Sequence, residues 1–363
     1  VVLTGEQRIV PMQPVGDGTW SVFVPGLGEG TRYRYRLDGG DAFPDPYSRF
    51  QPAGVHGDSA VVAHEGFEWH DHGWSGLTPQ GLTIYETHVG TATPVGTFDG
   101  LIEDLDRIRD LGVSAIEVMP VAEFSGRRNW GYDGVYLFAV SAAYGGPDAF
   151  KRFVDAAHQR GLGVILDVVY NHFGPEGNYL AQFAEDYFTP KHQTPWGAAV
   201  NYDGPNSQWV RQLVLDNAYQ WIHEFHVDGL RLDAVFMIHD DSPTHILQEL
   251  TQSVRRSLPP KRSVVLIAET SENQVRDLLP VEQGGMGFDA VWADDFHHGL
   301  RRYLAGDDEG YFRDYDGTLE ELARTINRGF FYEVQISSFS GVPRGSPARD
   351  RPAYQFVYCI QNH

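Results

Sequence analysis

The sequence lacks the features that mark secreted and membrane-embedded proteins. It contains one cysteine, Cys359, so no disulfide framework can form within the chain. No apolar run reaches the length of about eighteen residues that a membrane helix needs. The N-terminal stretch VVLTGEQRIV has no basic-then-apolar signal layout. These absences predict a soluble, cytoplasmic protein without membrane contact.

Positive charge is scarce as well. Lys and Arg total 28 against 49 Asp and Glu, which gives a formal net charge of -21. Such a surface repels a phosphate backbone, so we expect no nucleic-acid partner. A neutral ligand such as a sugar meets no electrostatic barrier. Aromatic residues form 13% of the chain, and exposed ones would offer flat faces to sugar rings.

Cofactor and metal motifs are also missing. The segment THVGTATPVGT, which follows the first strand of the long α/β region, lacks the glycine pattern of a nucleotide site. Three nearby histidines, His64, His70 and His72, have no paired cysteines, and no dense carboxylate cluster follows Asn171. We therefore expect no cofactor and no metal.

The chain divides into two parts of different character. Residues 1–63 read as short alternating runs between turn clusters, which predicts a small all-β sandwich domain. Residues 64–81 are rich in Gly and His and read as a linker. From 82 to 363 strands alternate with amphipathic helices, interrupted by an irregular insertion at 173–205. This alternation predicts an α/β fold with a parallel sheet, best fitted by a (β/α)8 TIM barrel.

Polar side chains recur where the predicted barrel strands end. They are Glu86 and His88, residues 167–172, Arg231 and Asp233, Glu269, Asp294 and Asp295, and Asn362 and His363. Active sites of barrel enzymes lie at the carboxyl ends of the strands. We therefore expect these side chains to meet at the barrel mouth.

Two of them form a candidate catalytic pair. Asp233 and Glu269 follow neighbouring strands, so their carboxyl groups can converge. Such a pair about 5 to 5.5 Å apart suits retaining glycosyl transfer, in which one acid attacks the anomeric carbon and the other protonates the leaving oxygen. Mutual repulsion would raise the proton affinity of one, as a general acid requires.

The stretch GLRLDAV also carries a buried cation. Arg231 precedes Asp233 by two residues, so both point to one face of a strand, and the guanidinium would keep the nucleophile ionised. A purely structural ion pair is the alternative. The position at a strand end beside Glu269 favours the catalytic interpretation. We expect Asp167 to orient Arg231 from below.

Two further residues have structural and functional alternatives. His172, in DVVYNH, is a candidate to bind a sugar hydroxyl, and a satisfied structural histidine is the other interpretation. Tyr132, in NWGYD, is a candidate aromatic platform, although a tyrosine between glycines is often a loop anchor.

Four segments together carry a family resemblance. DVVYNH, GLRLDAV, VLIAET and IQNH resemble, in order and spacing, the signature regions of the alpha-amylase superfamily, glycoside hydrolase family 13. The resemblance implies that Asp233 is the nucleophile and Glu269 the acid/base. It also implies that four residues line the subsite of the distorted sugar: Tyr132, His172, Arg231 and His363.

Other segments narrow the resemblance. TIYETHVGT, TPWGAAVNYDG and WADDFHH are similar to those of family members that hydrolyse the α-1,4 bond beside a terminal trehalose, releasing trehalose. Candidates to read the second trehalose ring are Asp294, Asp295, His297 and His298. A glucan-branching transferase and a non-catalytic glycan-binding protein are the alternatives. The expected partner is maltooligosyltrehalose or a related α-glucan.

The C-terminal end raises a further expectation. In the family the IQNH motif continues with a third catalytic aspartate, and a closed barrel has an eighth strand, whereas seven are countable here. We expect an incomplete barrel, with the missing C-terminal part of the same polypeptide as a partner. This fragment alone would then lack full activity.

Overall fold

The structure is a computed structural model that describes all residues from 1 to 363. The first 63 residues contain seven short strands: β1 (Val2–Leu3), β2 (Arg8–Ile9), β3 (Gln13–Gly16), β4 (Thr19–Ser21), β5 (Arg32–Arg36), β6 (Ala42–Phe43) and β7 (Ser59–Ala60). Antiparallel pairing gives the order β2-β1-β5-β6, with β7 also on β5, while β3 and β4 form a separate hairpin. The region is all-β, and the domain boundaries at 63 and 81 stay a prediction.

Strands and helices alternate from residue 84 onward. The first half contains β8 (Ile84–Thr87), α1 (Val89–Ala92), α2 (Phe98–Asp110), β9 (Ala115–Val118), β10 (Ala122–Glu123), β11 (Tyr136–Val140), α3 (Gly146–His158), β12 (Gly163–Val168), α4 (Leu180–Phe183), β13 (Phe188–Thr194) and β14 (Gly197–Val200). The second half contains α5 (Ser207–His223), β15 (Gly229–Leu232), α6 (Ile246–Ser257), β16 (Val265–Thr270), β17 (Ala290–Ala293), α7 (Asp294–Ala305), α8 (Leu319–Arg328), β18 (Glu333–Ile336), β19 (Pro343–Gly345) and β20 (Phe356–Val357).

Seven of these strands build one parallel sheet. Their order, β8-β9-β12-β15-β16-β17-β20, follows the chain, as in a (β/α)8 barrel. The sheet curls, as a contact between its two ends shows. The residues after β20 reach back to β8, where the His363 imidazole Nδ1 lies 2.6 Å from Glu86 Oε1. The fold is thus the predicted α/β barrel architecture, incomplete, with β8 and β20 as edge strands.

The core explains why these strands are nearly continuous in apolar residues. Every residue of β9, β12, β15 and β17 is buried. A parallel strand covered on both faces needs apolar side chains on both. One layer fills the barrel interior and includes Ile165, Ile267 and Trp292. A larger cluster lies between the strands and the amphipathic helices.

Three local expectations differ from the structure. The insertion at 173–205 is not irregular, because it contains helix α4 and the β13–β14 hairpin, whose alternating polar residues suit a surface ribbon. An antiparallel pair, β10 and β11, was also not expected. The sixth barrel strand ends at Ala293, and Asp294 already belongs to α7.

The segment 64–81 is docked on the end of the barrel opposite the predicted mouth. The Trp74 indole donates to Asp228, just before β15, at 2.7 Å. His158 lies buried between Asp71 and Asp228, with one ring nitrogen at 3.0 and the other at 2.8 Å from a carboxylate. Burial opposes its charge, but the two carboxylates outweigh burial and raise the pKa of His158. The predicted linker is therefore tied to the barrel by charged hydrogen bonds.

No helix has both the length and the apolar character needed to cross a membrane.

Candidate active site

Arg231 lies at the centre of the predicted site. Strand register places Asp167 of β12 directly beside Arg231 of β15. The guanidinium Nη1 donates to both Asp167 oxygens, at 3.0 and 2.9 Å, and to Asp233 Oδ1 at 2.9 Å. One guanidinium nitrogen thus contacts both carboxylates and holds them close together.

Asp233 is held from a second side. The Asn171 side-chain amide donates to Asp233 Oδ2 and to the Asp233 backbone carbonyl, both at 2.8 Å. Each carboxylate oxygen therefore has a fixed donor. The side chain is 14% exposed, so it remains accessible to a ligand from the barrel mouth. This combination of fixed orientation and access suits a nucleophile.

Glu269 reaches the same guanidinium from the next strand. Its Oε2 lies 3.9 Å from Arg231 Nη2 and accepts a hydrogen bond from the Ala234 backbone N–H at 2.6 Å. Ala234 has φ 41° and ψ 53°, a left-handed conformation that an alanine adopts only under strain. The strained backbone after Asp233 therefore aims an amide at Glu269.

The surroundings of Glu269 determine its protonation state. Burial raises the pKa of Glu269 to about 7. Arg231 opposes this shift, whereas the negative charges of Asp294 and Asp233 add to it. Near neutral pH a large fraction of Glu269 is protonated, which is the state a general acid needs.

Tyr132 connects Asp167 to the end of the chain. The Tyr132 hydroxyl donates its proton to Asp167 Oδ2 at 2.6 Å. The Tyr132 oxygen therefore accepts a hydrogen bond from His363 Nε2 at 2.7 Å. The other His363 nitrogen donates to Glu86. Both ring nitrogens then carry protons, and although burial opposes it, the Glu86 carboxylate raises the pKa of His363.

His172 lies on the opposite flank. Its Nε2 donates to the Tyr132 carbonyl at 2.9 Å, and its Nδ1 contacts the side-chain oxygen of Asn171. The Trp196 ring stacks on the imidazole at a centroid distance of 4.2 Å and an interplanar angle of 5°. Burial lowers the pKa of His172. Trp196 is about half exposed and presents its free face to solvent.

The predicted second-ring residues separate into two groups. Asp294, His297 and His298 gather on the first turn of α7, with ligand atoms within 4.8 Å of one another. Asp294 continues directly from β17, the strand that pairs with the Glu269 strand. Burial lowers the pKa of His298 to about 3, so this ring is neutral.

Asp295 does not join them. It is fully buried, and its carboxylate accepts from five donors of the protein itself: Tyr315 hydroxyl at 2.5 Å, Asn273 amide at 2.6 Å, Phe331 N–H at 2.7 Å, Arg344 Nη2 at 3.0 Å and Tyr332 N–H at 3.2 Å. These contacts fix the loops behind α7. That Asp295 reads a sugar ring stays a prediction, and its donors within the protein do not favour it.

Several residues of the site were not among the predicted site residues. Asn171 and the Ala234 amide act through contacts between distant loops, which no local pattern reveals. Trp196 lies at the turn of a hairpin remote in sequence, and only its exposed aromatic character marks it. Glu117, on β9, is fully buried, and neither of its oxygens has a partner. Burial raises its pKa well above the ordinary value, so it is protonated.

Two clusters have donor sets that suit a cation. One is the α7 group of Asp294, His297 and His298. The other contains His192, Asp203 and Asp241, but there the Lys191 ammonium lies 2.6 and 2.7 Å from the two carboxylates. The second cluster therefore already holds a positive charge of its own.

Comparison with known proteins agrees with the geometry. The family model for the alpha amylase catalytic domain matches residues 48–209. A malto-oligosyltrehalose trehalohydrolase from Saccharolobus solfataricus is 44% identical over 98% of this chain and 62% of its own length. A 1,4-alpha-glucan branching enzyme from Pseudoalteromonas atlantica is 30% identical over 82% of this chain and 46% of its own length.

A solved structure shows the same fold over nearly the whole chain. A Salmonella typhimurium protein described as an alpha amylase superposes with a TM-score of 0.91 at 43% identity, covering 97% of this chain and 60% of that one. The chain thus spans about three fifths of the length of these two relatives. By its similarity to them and to the family model, the chain belongs to the alpha-amylase family.

Proposed function

We propose that this chain carries the catalytic centre of a retaining glycoside hydrolase that releases trehalose from maltooligosyltrehalose. The observation that carries the proposal is that one guanidinium, Arg231, contacts Asp233 and lies near Glu269, whose pKa is raised to about 7. The 44% identity to a malto-oligosyltrehalose trehalohydrolase supports the choice of substrate.

The geometry supports a double-displacement mechanism. The Asp233 carboxylate attacks the anomeric carbon while protonated Glu269 gives its proton to the leaving glycosidic oxygen. This step forms a maltooligosyl ester on Asp233, releases trehalose with the transferred proton and leaves Glu269 ionised. Glu269 then accepts a proton from water as the water attacks the ester, which regenerates both acids and retains the anomeric configuration.

Other residues have binding roles in this proposal. Tyr132, His172 and His363 line the subsite of the reacting sugar, with the stacked Trp196 extending its wall. Asp294, His297 and His298 hydrogen-bond the second ring of the trehalose unit. Their support is their arrangement around the two acids, at the carboxyl ends of adjacent strands.

A branching transferase is the second candidate. It would use the same carboxylates and pass the glucosyl group to a sugar hydroxyl instead of water, and the 30% identical branching enzyme favours it. A glycan-binding protein without catalysis is a third, and the paired acids with a raised Glu269 pKa weigh against it. We also propose a cytoplasmic location, since the single cysteine, Cys359, suits a reducing compartment.

Product analysis separates the candidates. The full chain is incubated with maltopentaosyl-trehalose and, separately, with amylose, and the products are resolved by chromatography. Free trehalose from the first substrate is the expected result. New branch points in amylose without trehalose release would establish the transferase instead, and binding of either glucan without products would establish the binding protein.

A further inference from the structure

The first turn of α7 carries a donor set beyond what a sugar site requires. Asp294, His297 and His298 lie at i, i+3 and i+4, the spacing that puts side chains on one face of a helix. The Asp294 carboxylate and His297 Nε2 are 3.3 Å apart, and the two imidazole centroids are 4.2 Å apart. Two imidazoles with one carboxylate form a ligand set that binds first-row transition metals.

The spacing agrees with coordination to one ion. A tetrahedral zinc ion with nitrogen and oxygen ligands at about 2.0 to 2.1 Å places those ligand atoms about 3.3 to 3.5 Å apart. The Asp294–His297 separation of 3.3 Å already meets this. One ligand atom of each of the three residues lies within 4.8 Å of the other two, near enough for a single ion to draw them together.

Proton accounting shows that His298 has a free lone pair. The Tyr315 hydroxyl donates its only proton to Asp295 Oδ1 at 2.5 Å. The Tyr315 oxygen therefore accepts from His298 Nδ1, which lies 3.4 Å away. A ring that donates through Nδ1 and carries a single proton leaves Nε2 as an acceptor.

That lone pair has no hydrogen-bond partner within the protein. His298 is 7% exposed, and its hydrogen bond to Tyr315 is made through Nδ1. Nε2 is not sealed from solvent, so an ion can reach it. The hydrogen bond from Nδ1 to Tyr315, backed by Asp295, is the kind of second contact that orients metal-bound histidines.

We propose that Asp294, His297 and His298 form a binding site for a divalent transition-metal ion of the zinc class. The imidazole pair excludes calcium and magnesium, which prefer oxygen ligands. Asp294 directly follows Ala293, which pairs with Thr270 beside Glu269, so a bound ion would sit at the edge of the active site. Because the trehalose ring is proposed to use the same side chains, we infer that the ion inhibits by competing with substrate. This second inference rests on the proposed function.

The test measures metal binding directly. Zn2+ is titrated into the full chain at neutral pH in competition with a chromophoric chelator. One bound Zn2+ per chain is expected, with affinity reduced at least tenfold in His297→Asn and in His298→Gln. Melting temperatures check that each variant is folded, and the partly exposed His297 tolerates substitution better than the buried His298.

A matched control comes from the second cluster. In His192→Asn the affinity for Zn2+ should be unchanged, because Lys191 already neutralises Asp203 and Asp241. The proposal is overturned if the wild-type chain binds no Zn2+ at micromolar concentrations, if the α7 variants bind as the wild type does, or if His192→Asn is the variant that loses binding.

The inhibition is measured separately. With maltopentaosyl-trehalose as substrate, Zn2+ should raise KM without changing kcat, and a chelator should reverse the effect. Zn2+ binding without trehalose release from any substrate would refute the proposed function and leave the metal site standing. Trehalose release without Zn2+ binding would refute the metal site and leave the proposed function standing.

Discussion

Arg231 determines the chemistry at the level of single residues. Its side chain is 3% exposed and contacts Asp167 and Asp233, with Glu269 at the far side of the guanidinium. Removing one partner from a buried ion pair costs about 3 to 5 kcal/mol of stability, because the remaining charge is left buried without a counter-charge. Burial therefore keeps Arg231, Asp167 and Asp233 together as much as their attraction does. Lysine could not replace Arg231, because it lacks the planar fork.

Substitution of Glu269 tests the general acid. Glu269→Gln should lower kcat by about 10²- to 10⁴-fold, because the amide has no proton to give to the leaving oxygen. Oligosaccharide binding should be retained, since the shape is preserved. Steady-state kinetics and a binding titration measure both. Glu272→Gln, the same change at an exposed position three residues on, should leave kcat unaltered.

The pH dependence tests the electrostatics around the same group. Glu269 acts as an acid only while protonated, so kcat/KM should fall as the pH rises through about 7. Asp294→Asn removes a negative charge that holds this pKa up, so the alkaline limb should move to lower pH. Profiles of kcat/KM against pH for both proteins measure the shift. An unmoved limb, or one displaced upward, would contradict the assignment.

At the level of elements, the segment 64–81 fastens to the sheet through a close backbone approach. Gly76 pairs with Ser263, just before β16, and the Ser263 N–H donates to Ser75 O at 2.8 Å. Gly76 has φ +88°, and a Cβ there would lie 1.9 Å from the Ser263 carbonyl oxygen. Only glycine fits this position.

Gly76→Ala should therefore destabilise the fold. The new methyl would have to displace the β16 backbone, with a loss of about 2 kcal/mol or more in the free energy of unfolding. Denaturant titration measures it. Gly73→Ala provides the comparison, because a Cβ at Gly73 meets nothing within 4 Å, and it should change stability little. Equal stability of the two variants would show that the docking of this segment contributes nothing.

Element boundaries also show where sequence patterns reach their limit. Seven parallel strands and the main helices were predictable, because a strand such as VILDVV, buried on both faces, is apolar except for the single Asp167 at the active site. The residue at which β17 ends could not be predicted. In WADDF the polar Asp294 and Asp295 suit a strand end and a helix start equally, so the boundary depends on contacts that only the three-dimensional structure shows.

At the scale of the whole molecule, the catalytic pair could be predicted and its supports could not. Asp233 and Glu269 follow neighbouring strands, which sequence order reveals. Asn171, the Ala234 amide and Trp196 take part through contacts that depend on how loops meet in three dimensions. The contacts of Asp295 could not be predicted for the same reason, because its neighbours Tyr315 and Arg344 come from later segments.

The curl of the sheet brings both ends of the barrel region into one site. Glu86 on β8 and His363 after β20 are 277 positions apart and share a hydrogen bond. A pair from opposite edges of an open sheet meets only if the sheet is strongly bent. The proposed sugar subsite is therefore a property of the whole barrel region.

The central claim is that Asp233 forms a covalent bond to the sugar while Glu269 transfers the proton. The most direct measurement is to trap that bond with a 5-fluoroglucosyl fluoride and locate the adduct by mass spectrometry of the digested protein. Our account predicts one added fluoroglucosyl group, on the peptide that contains Asp233. An adduct on a different carboxylate, or none in a preparation that turns over substrate, would contradict it.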